Sequence, residues 1–150
     1  MIALLDVNVL VALAWPNHVF HAPVRNWFRA QQSSGWATCP TTENGFIRVS
    51  SNTKIIPEAK SPLESAIFLK NLISLPGHVF WPEETSILND RWITLQKIHT
   101  HRQIADAHLL SLAIQKKGCL ATFDRGIFSL VPEGVKGEKA VCLISSASKS

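Results

Sequence analysis

The sequence predicts a three-layer α/β/α sandwich around a mostly parallel central sheet. Three observations carry this expectation: short apolar runs without polar alternation, segments of helical period between them, and Pro or Gly at the junctions. Ile2 to Leu5 is an uninterrupted apolar run closed by Asp6, as expected of a strand buried on both faces. From Val7 the apolar residues Val9, Leu10, Leu13 and Ala14 take helical spacing, and Pro16 stops them. His21 to Ser34 sets Val24, Trp27, Phe28 and Gln31 at helical intervals, with Arg25 and Arg29 flanking and Gly35 as the stop.

The strand-then-helix pattern then recurs. Trp36 to Cys39 reads as a strand, and Pro40-Thr41-Thr42-Glu43 opens a helix through Phe46, Ile47 and Val49. Ser61-Pro62 starts an amphipathic helix through Leu63, Ala66, Ile67, Leu69, Lys70 and Ile73, ended by Pro76-Gly77. His78 to Trp81 is the next short strand. Two helices are expected after it, one over roughly Ser86 to Ile98 and one from Arg102 to Lys117, where Ala105, Leu109, Leu112 and Ala113 share a face. Cys119 to Phe123 and Val141 to Ile144 read as the last strands. One domain over 1–144 is expected, with 145–150 a disordered tail.

Of the 150 residues, 46% are hydrophobic and 17% charged, a balance that buries a core and excludes a disordered or coiled-coil chain. The net charge of +4 is compatible with a polyanionic partner but does not demand one. Cys39, Cys119 and Cys142 are far apart and odd in number, which argues against a disulfide framework or a cysteine zinc site and suits a reducing cytoplasm. No apolar run approaches the ~20 residues that span a bilayer.

In such sheets the functional crevice lies beyond the carboxyl ends of the strands, so acids at those positions are informative. The chain has four aspartates, Asp6, Asp90, Asp106 and Asp124. Asp6 and Asp124 end predicted strands, Asp106 lies in the first turns of a predicted helix, and Glu43 stands at the helix start after the Trp36 strand. One acid in a first helical turn only offsets the helix dipole, by ~0.3–1 kcal/mol. Four at one edge are different, because like charges ~4 Å apart at an effective dielectric of ~20 repel by ~4 kcal/mol per pair. Such a cluster calls for a cation, and all-oxygen donors suit Mg²⁺ or Mn²⁺ and phosphodiester chemistry with a metal-activated water.

Asn8 is read either as a polar neighbour of the metal site or as the N-cap of the following helix. Thr122, two residues before Asp124 on one strand face, is a second polar neighbour. Gly45 beside Glu43 implies a close approach of backbone to a neighbour. Arg48 is read as reaching a phosphate or a neighbouring carboxylate, or as lying on a solvated helix face or in a structural ion pair. His99 with His101, and His18 with His21, lack the spacing of a zinc motif and are read as surface residues; most aromatic residues are read as packing, with Trp15 the least settled.

The runs Leu4-Leu5-Asp6-Val7-Asn8-Val9-Leu10 and Cys39-Pro40-Thr41-Thr42-Glu43-Asn44-Gly45-Phe46-Ile47-Arg48-Val49 resemble the PIN-domain ribonucleases, and within them the VapC toxins of toxin–antitoxin pairs. Ile104-Ala105-Asp106-Ala107-His108-Leu109-Leu110 and Leu120-Ala121-Thr122-Phe123-Asp124-Arg125-Gly126 resemble that family's third and fourth acidic motifs. The resemblance implies a PIN-like fold and an endoribonuclease in which Asp6, Glu43, Asp106 and Asp124 hold Mg²⁺ or Mn²⁺ and act in catalysis. Arg125 joins Arg48 as a candidate RNA contact. It also implies a cytoplasmic homodimer restrained by a VapB-like antitoxin. Ala105 stands where the family often has Thr.

Three other readings stay open at this point: a housekeeping PIN ribonuclease, a catalytically silent RNA- or protein-binding PIN module, and a phosphotransfer protein of receiver or haloacid-dehalogenase type. The last wants a D-x-D pair where this chain has Asp6-Val7-Asn8, and it leaves Glu43 unexplained.

Overall fold

A computed structural model describes residues 1–89, 91–93 and 95–145. Five parallel strands, β1 (Ala3–Leu5), β2 (Trp36–Thr38), β3 (His78–Phe80), β4 (Cys119–Thr122) and β5 (Val141–Leu143), form one sheet in the order β3-β2-β1-β4-β5. β1 is central, with Ala3 opposite both Trp36 and Cys119. All three of its residues are fully buried, which explains why its sequence shows no alternation.

Strand periodicity sorts the core into two layers. Ala3, Leu5, Trp36, Cys119 and Ala121 face α1 (Val7–Ala14), α2 (His21–Gln31), α3 (Pro40–Ser50) and α4 (Pro62–Ile73). Leu4, Ala37, Leu120 and Val141 face α5 (Gln103–Gln115) and α6 (Gly137–Ala140), together with a 3₁₀ turn over Arg125–Leu130. The expected α/β/α sandwich is therefore present.

Local chemistry sets the helix ends. Ser61 and Glu64 cap α4 reciprocally, each backbone N–H bonding the other side chain at 3.1 Å. Gly35, at φ +103°, ends the turn after α2 by donating to the carbonyls of Gln31 and Gln32. Trp15 is a packing residue: its ring is buried, meets Phe68 edge-on, and donates Nε1–H to Ser50 Oγ at 3.0 Å.

Three sequence expectations need correction. The helix over Ser86 to Ile98 is absent among the described residues, which form turns and a 3₁₀ turn at Leu95–Lys97. Ser86 Oγ accepts from Leu88 N–H and Asn89 Oδ1 from Arg91 N–H, so local side-chain bonds compete with helical ones. In α4 the inward residues are Ser65 and Leu69, while Leu63 and Ile67 are 70% and 50% exposed. In α5 burial runs from Ala107 to Ala113 apart from His108, and Ala105 is exposed. Of the predicted tail, Ser145 is exposed, and 146–150 lie outside the described residues, as does Asp90.

Gly45 is where α3 meets α1. A Cβ there would lie 2.5 Å from Val7 Cγ2 and 3.2 Å from Cγ1, on a β-branched side chain with little freedom to turn. Ala would gain about 1 kcal/mol of helix propensity but overpack the contact by about 1–3 kcal/mol. Gly45→Ala is expected to lower stability by about 1 kcal/mol in urea unfolding, and adding Val7→Ala to recover most of it. Because Val7 follows Asp6 directly, the single substitution should also reduce any activity that depends on Asp6.

Candidate active site

The strand order reverses between β1 and β4, and in sheets of this kind the carboxyl ends at such a switch point, where the connections leave in opposite directions, are where a crevice forms. Asp6 follows β1 and Asp124 lies two residues past β4, so the fold puts these acids on the two sides of that switch point. Asp6 is the N-cap of α1, with Oδ1 accepting from Val7 N–H at 2.7 Å. Its Oδ2 accepts from the buried Thr122 hydroxyl at 3.0 Å. The same hydroxyl oxygen accepts from Asp124 N–H at 3.1 Å, so Thr122 ties the two acids together. Asp124 in turn caps the following 3₁₀ turn through Gly126 N–H.

Asp106 enters from the first turn of α5. Its carboxyl is pushed up from the ordinary 3.8 to about 6 by burial, and further by the charges of Asp6 and Asp124. Burial likewise raises Asp6; Thr122 and Val7 oppose that rise, while the charge of Asp124 adds to it. The three aspartates therefore share one electrostatic field.

Glu43, in the first turn of α3, does not figure among the charges acting on Asp6 or Asp106. Its Oε2 accepts the hydroxyl proton of Thr38 at 2.7 Å. Thr38 has one proton to give, so at 2.8 Å from His78 Nε2 it accepts, which places a proton on that nitrogen. The resulting line His78–Thr38–Glu43 crosses from the edge strand β3 through β2 to α3.

A sequence profile of the PIN domain matches residues 3–133. The chain is also 46% identical over 134 residues to Ribonuclease VapC38 of Mycobacterium tuberculosis (strain ATCC 25618 / H37Rv), spanning 89% of this chain and 93% of that protein. The chain belongs to the PIN-domain family, on its VapC branch. Ribonuclease VapC39 of M. tuberculosis (strain CDC 1551 / Oshkosh) is 41% identical over 90% of this chain and 97% of its own length. Ribonuclease VapC44 of the same strain is 39% identical over 91% and 96%.

In this PIN domain the other expected residues are spread out. Asn8 is exposed in the first turn of α1, and Asp6, not Asn8, caps that helix. Arg125 is exposed beside Asp124. Arg48 is exposed in the last turn of α3, about 7.5 Å along the axis from Glu43 at 1.5 Å per residue. His99 and His101 are exposed as expected, whereas His18 and His21 are partly buried and bond to backbone at Phe20 and Ala12.

Sequence reasoning missed Glu83. Its Oε1 accepts from Thr41 N–H at 2.6 Å and its Oε2 meets His108 Nε2 at 3.0 Å. Burial works to raise its pKa, but bonds from Thr41, Cys39 and His108 win and hold it below the usual range. Glu83 thus joins the start of α3, which carries Glu43, to the turn of α5 that carries Asp106. The rule that selected Asp6, an acid just past a strand, would have found it after His78–Trp81.

The donor set of this PIN domain fits a hard divalent cation: carboxylates only, with mutual repulsion that a cation relieves. As they stand, no three His, Cys, Asp or Glu side chains among the described residues converge closely enough to hold one ion.

The raised pKa of Asp106 has a defined sign. The folded state binds its proton more tightly than the unfolded chain, so metal-free stability is lost as pH rises from about 4 to about 6 and stays lost above that. Asp106→Asn is expected to melt higher than the wild type at pH 7.5 in EDTA, with the advantage shrinking to nothing near pH 4. Asp6→Asn should show a smaller gain, because it weakens the cap and the Thr122 bond. Thermal melts of both variants across this range check the assignment.

Proposed function

We propose that this protein is a divalent-metal-dependent endoribonuclease acting as the toxin of a VapBC-type toxin–antitoxin pair. The observation that carries the reading is the field shared by Asp6, Asp106 and Asp124 on either side of the switch point, in a chain whose curated relatives are named ribonucleases. Asp6, Asp106 and Asp124, with Glu43, are the residues that would hold Mg²⁺ or Mn²⁺. When bound, such an ion lowers the pKa of water and neutralises the leaving oxygen of a phosphodiester.

The remaining work falls to the chain itself. Thr122 orients Asp6 by donating to Oδ2, and Thr38 orients Glu43 by donating to Oε2. In the metal-free protein Asp106 keeps a proton up to about pH 6, so cation binding near neutrality competes with little protonation. Arg125, exposed next to Asp124, would contact the RNA, and Asn8 is read as a polar neighbour of Asp6. Arg48 stands a turn or more from Glu43 and would meet RNA farther along the strand.

The inhibitory partner is read as a VapB-like antitoxin whose basic side chain enters the carboxylate cluster while its apolar residues cover adjacent surface. The protein is read as a cytoplasmic homodimer. Its three cysteines are free, and no helix among the described residues is long and apolar enough to cross a membrane.

RNA cleavage is expected with Mg²⁺ or Mn²⁺ and is expected to vanish in excess EDTA; cleavage that persists in EDTA would refute the metal mechanism. Asp6→Asn and Asp106→Asn should each lower kcat at least 100-fold, the scale set by electrostatic groups at a reacting centre. Expression of the wild-type chain without an antitoxin should arrest growth, and the Asp6→Asn form should not. If neither form affects growth although the purified enzyme cuts RNA, the toxin role is wrong and a housekeeping ribonuclease takes its place. A monomer mass by light scattering at micromolar concentration would refute the dimer.

A further inference from the structure

Beside Asp124 lies a cavity of about 240 Å³ with no part in holding a cation. It is lined by Phe20, Phe123, Arg125, Leu143, Ile144 and Ser145, at the carboxyl ends of β4 and β5. The rings of Phe20 and Phe123 sit 4.8 Å apart at 48°, forming an aromatic wall. An apolar cavity of about 150 Å³ takes a benzene ring, so this one has room for a single flat heterocycle.

Its surroundings are built. Phe20 N–H donates to His18 Nδ1 at 3.0 Å, and His21 Nδ1 donates to the Ala12 carbonyl at 2.8 Å, so the loop that presents Phe20 is pinned on both sides of that residue. Phe123 and Arg125 are the immediate chain neighbours of Asp124, so cavity and acid are held in one register. Aromatic rings with a guanidinium at the rim are the side chains on which unstacked bases stack. An aliphatic ligand would need neither the cation nor the neighbouring acids.

We propose that this cavity is a nucleobase subsite, in which one unstacked base next to the scissile phosphate of a single-stranded RNA seats against Phe20 and Phe123 with Arg125 over its edge. The proposal rests on the ribonuclease reading and extends it: position of cutting depends on a base held here as well as on the acids.

The test uses an RNA cut at one mapped position, in which nucleotides around the cut are replaced singly by an abasic residue or by 2-aminopurine. In EDTA, 2-aminopurine at one position is expected to be quenched by wild-type protein. With Mg²⁺, an abasic residue there should lower kcat/KM at least tenfold. Phe20→Ala removes the wall and Leu143→Trp fills the space. Both should abolish the quench and cut normal RNA no faster than wild type cuts the abasic one, while cutting abasic RNA as wild type does. Phe123→Leu, which keeps an apolar side chain but removes the second ring of the wall, carries the same test if either of the others fails to fold.

A full abasic penalty retained in the variants would overturn the subsite and leave the ribonuclease reading standing, as would a quench in wild type that the variants keep. If wild type cuts no RNA with either metal but shows a quench that the variants lose, the subsite stands and the ribonuclease reading falls. Neither cleavage nor quench would sink both.

Discussion

The two hydrogen bonds received by the Asp6 carboxylate are the constraint on which the acidic end of the molecule depends. Burial and the nearby charge of Asp124 both act against an ionised Asp6, and Val7 N–H with the Thr122 hydroxyl act for it. One of those donors begins α1 and the other ends β4, so the charge cannot relax without loosening a helix start or a strand end. Gly45 extends the dependence to α3, because Val7 can keep its place only while nothing larger than hydrogen occupies that face. Packing between helices and orientation of an acid are thus one arrangement.

A different device holds the opposite side of the crevice. Glu83 is no part of the expected metal set, yet it bonds to the backbone of α3 and to a side chain of α5. The distance between the helices carrying Glu43 and Asp106 is therefore held by a group whose own charge is already engaged. Asp106 takes no part in that link, and burial, with the charges of Asp6 and Asp124 added to it, raises its proton affinity.

The sequence disclosed those parts of the molecule whose cause is local. Asp6 and Asp124 end apolar runs, Glu43 and Asp106 open helices, and Ser61 with Glu64 announces its own cap, so each could be read from its neighbours. What stayed hidden came from across the sheet. Thr38 meets His78 only because β2 lies beside β3, and His108 meets Glu83 over a separation of 25 residues. Leu63 and Ile67 have helical spacing yet face outward, since periodicity defines a stripe but not the layer it meets. Over Ser86 to Ile98 a helix is expected, and the short polar side chains of Ser86 and Asn89 decide otherwise at its start.

Both margins of the sheet are formed by three-residue strands, β3 and β5. A margin of that length offers a foreign chain very few unpaired amides and carbonyls, too few for cooperative strand addition, even though Val79 and Phe80 are partly exposed on one of them. Brevity here serves as protection against aggregation, and the protein should tolerate crowding at its sheet edges without the charged gatekeepers that longer border strands require.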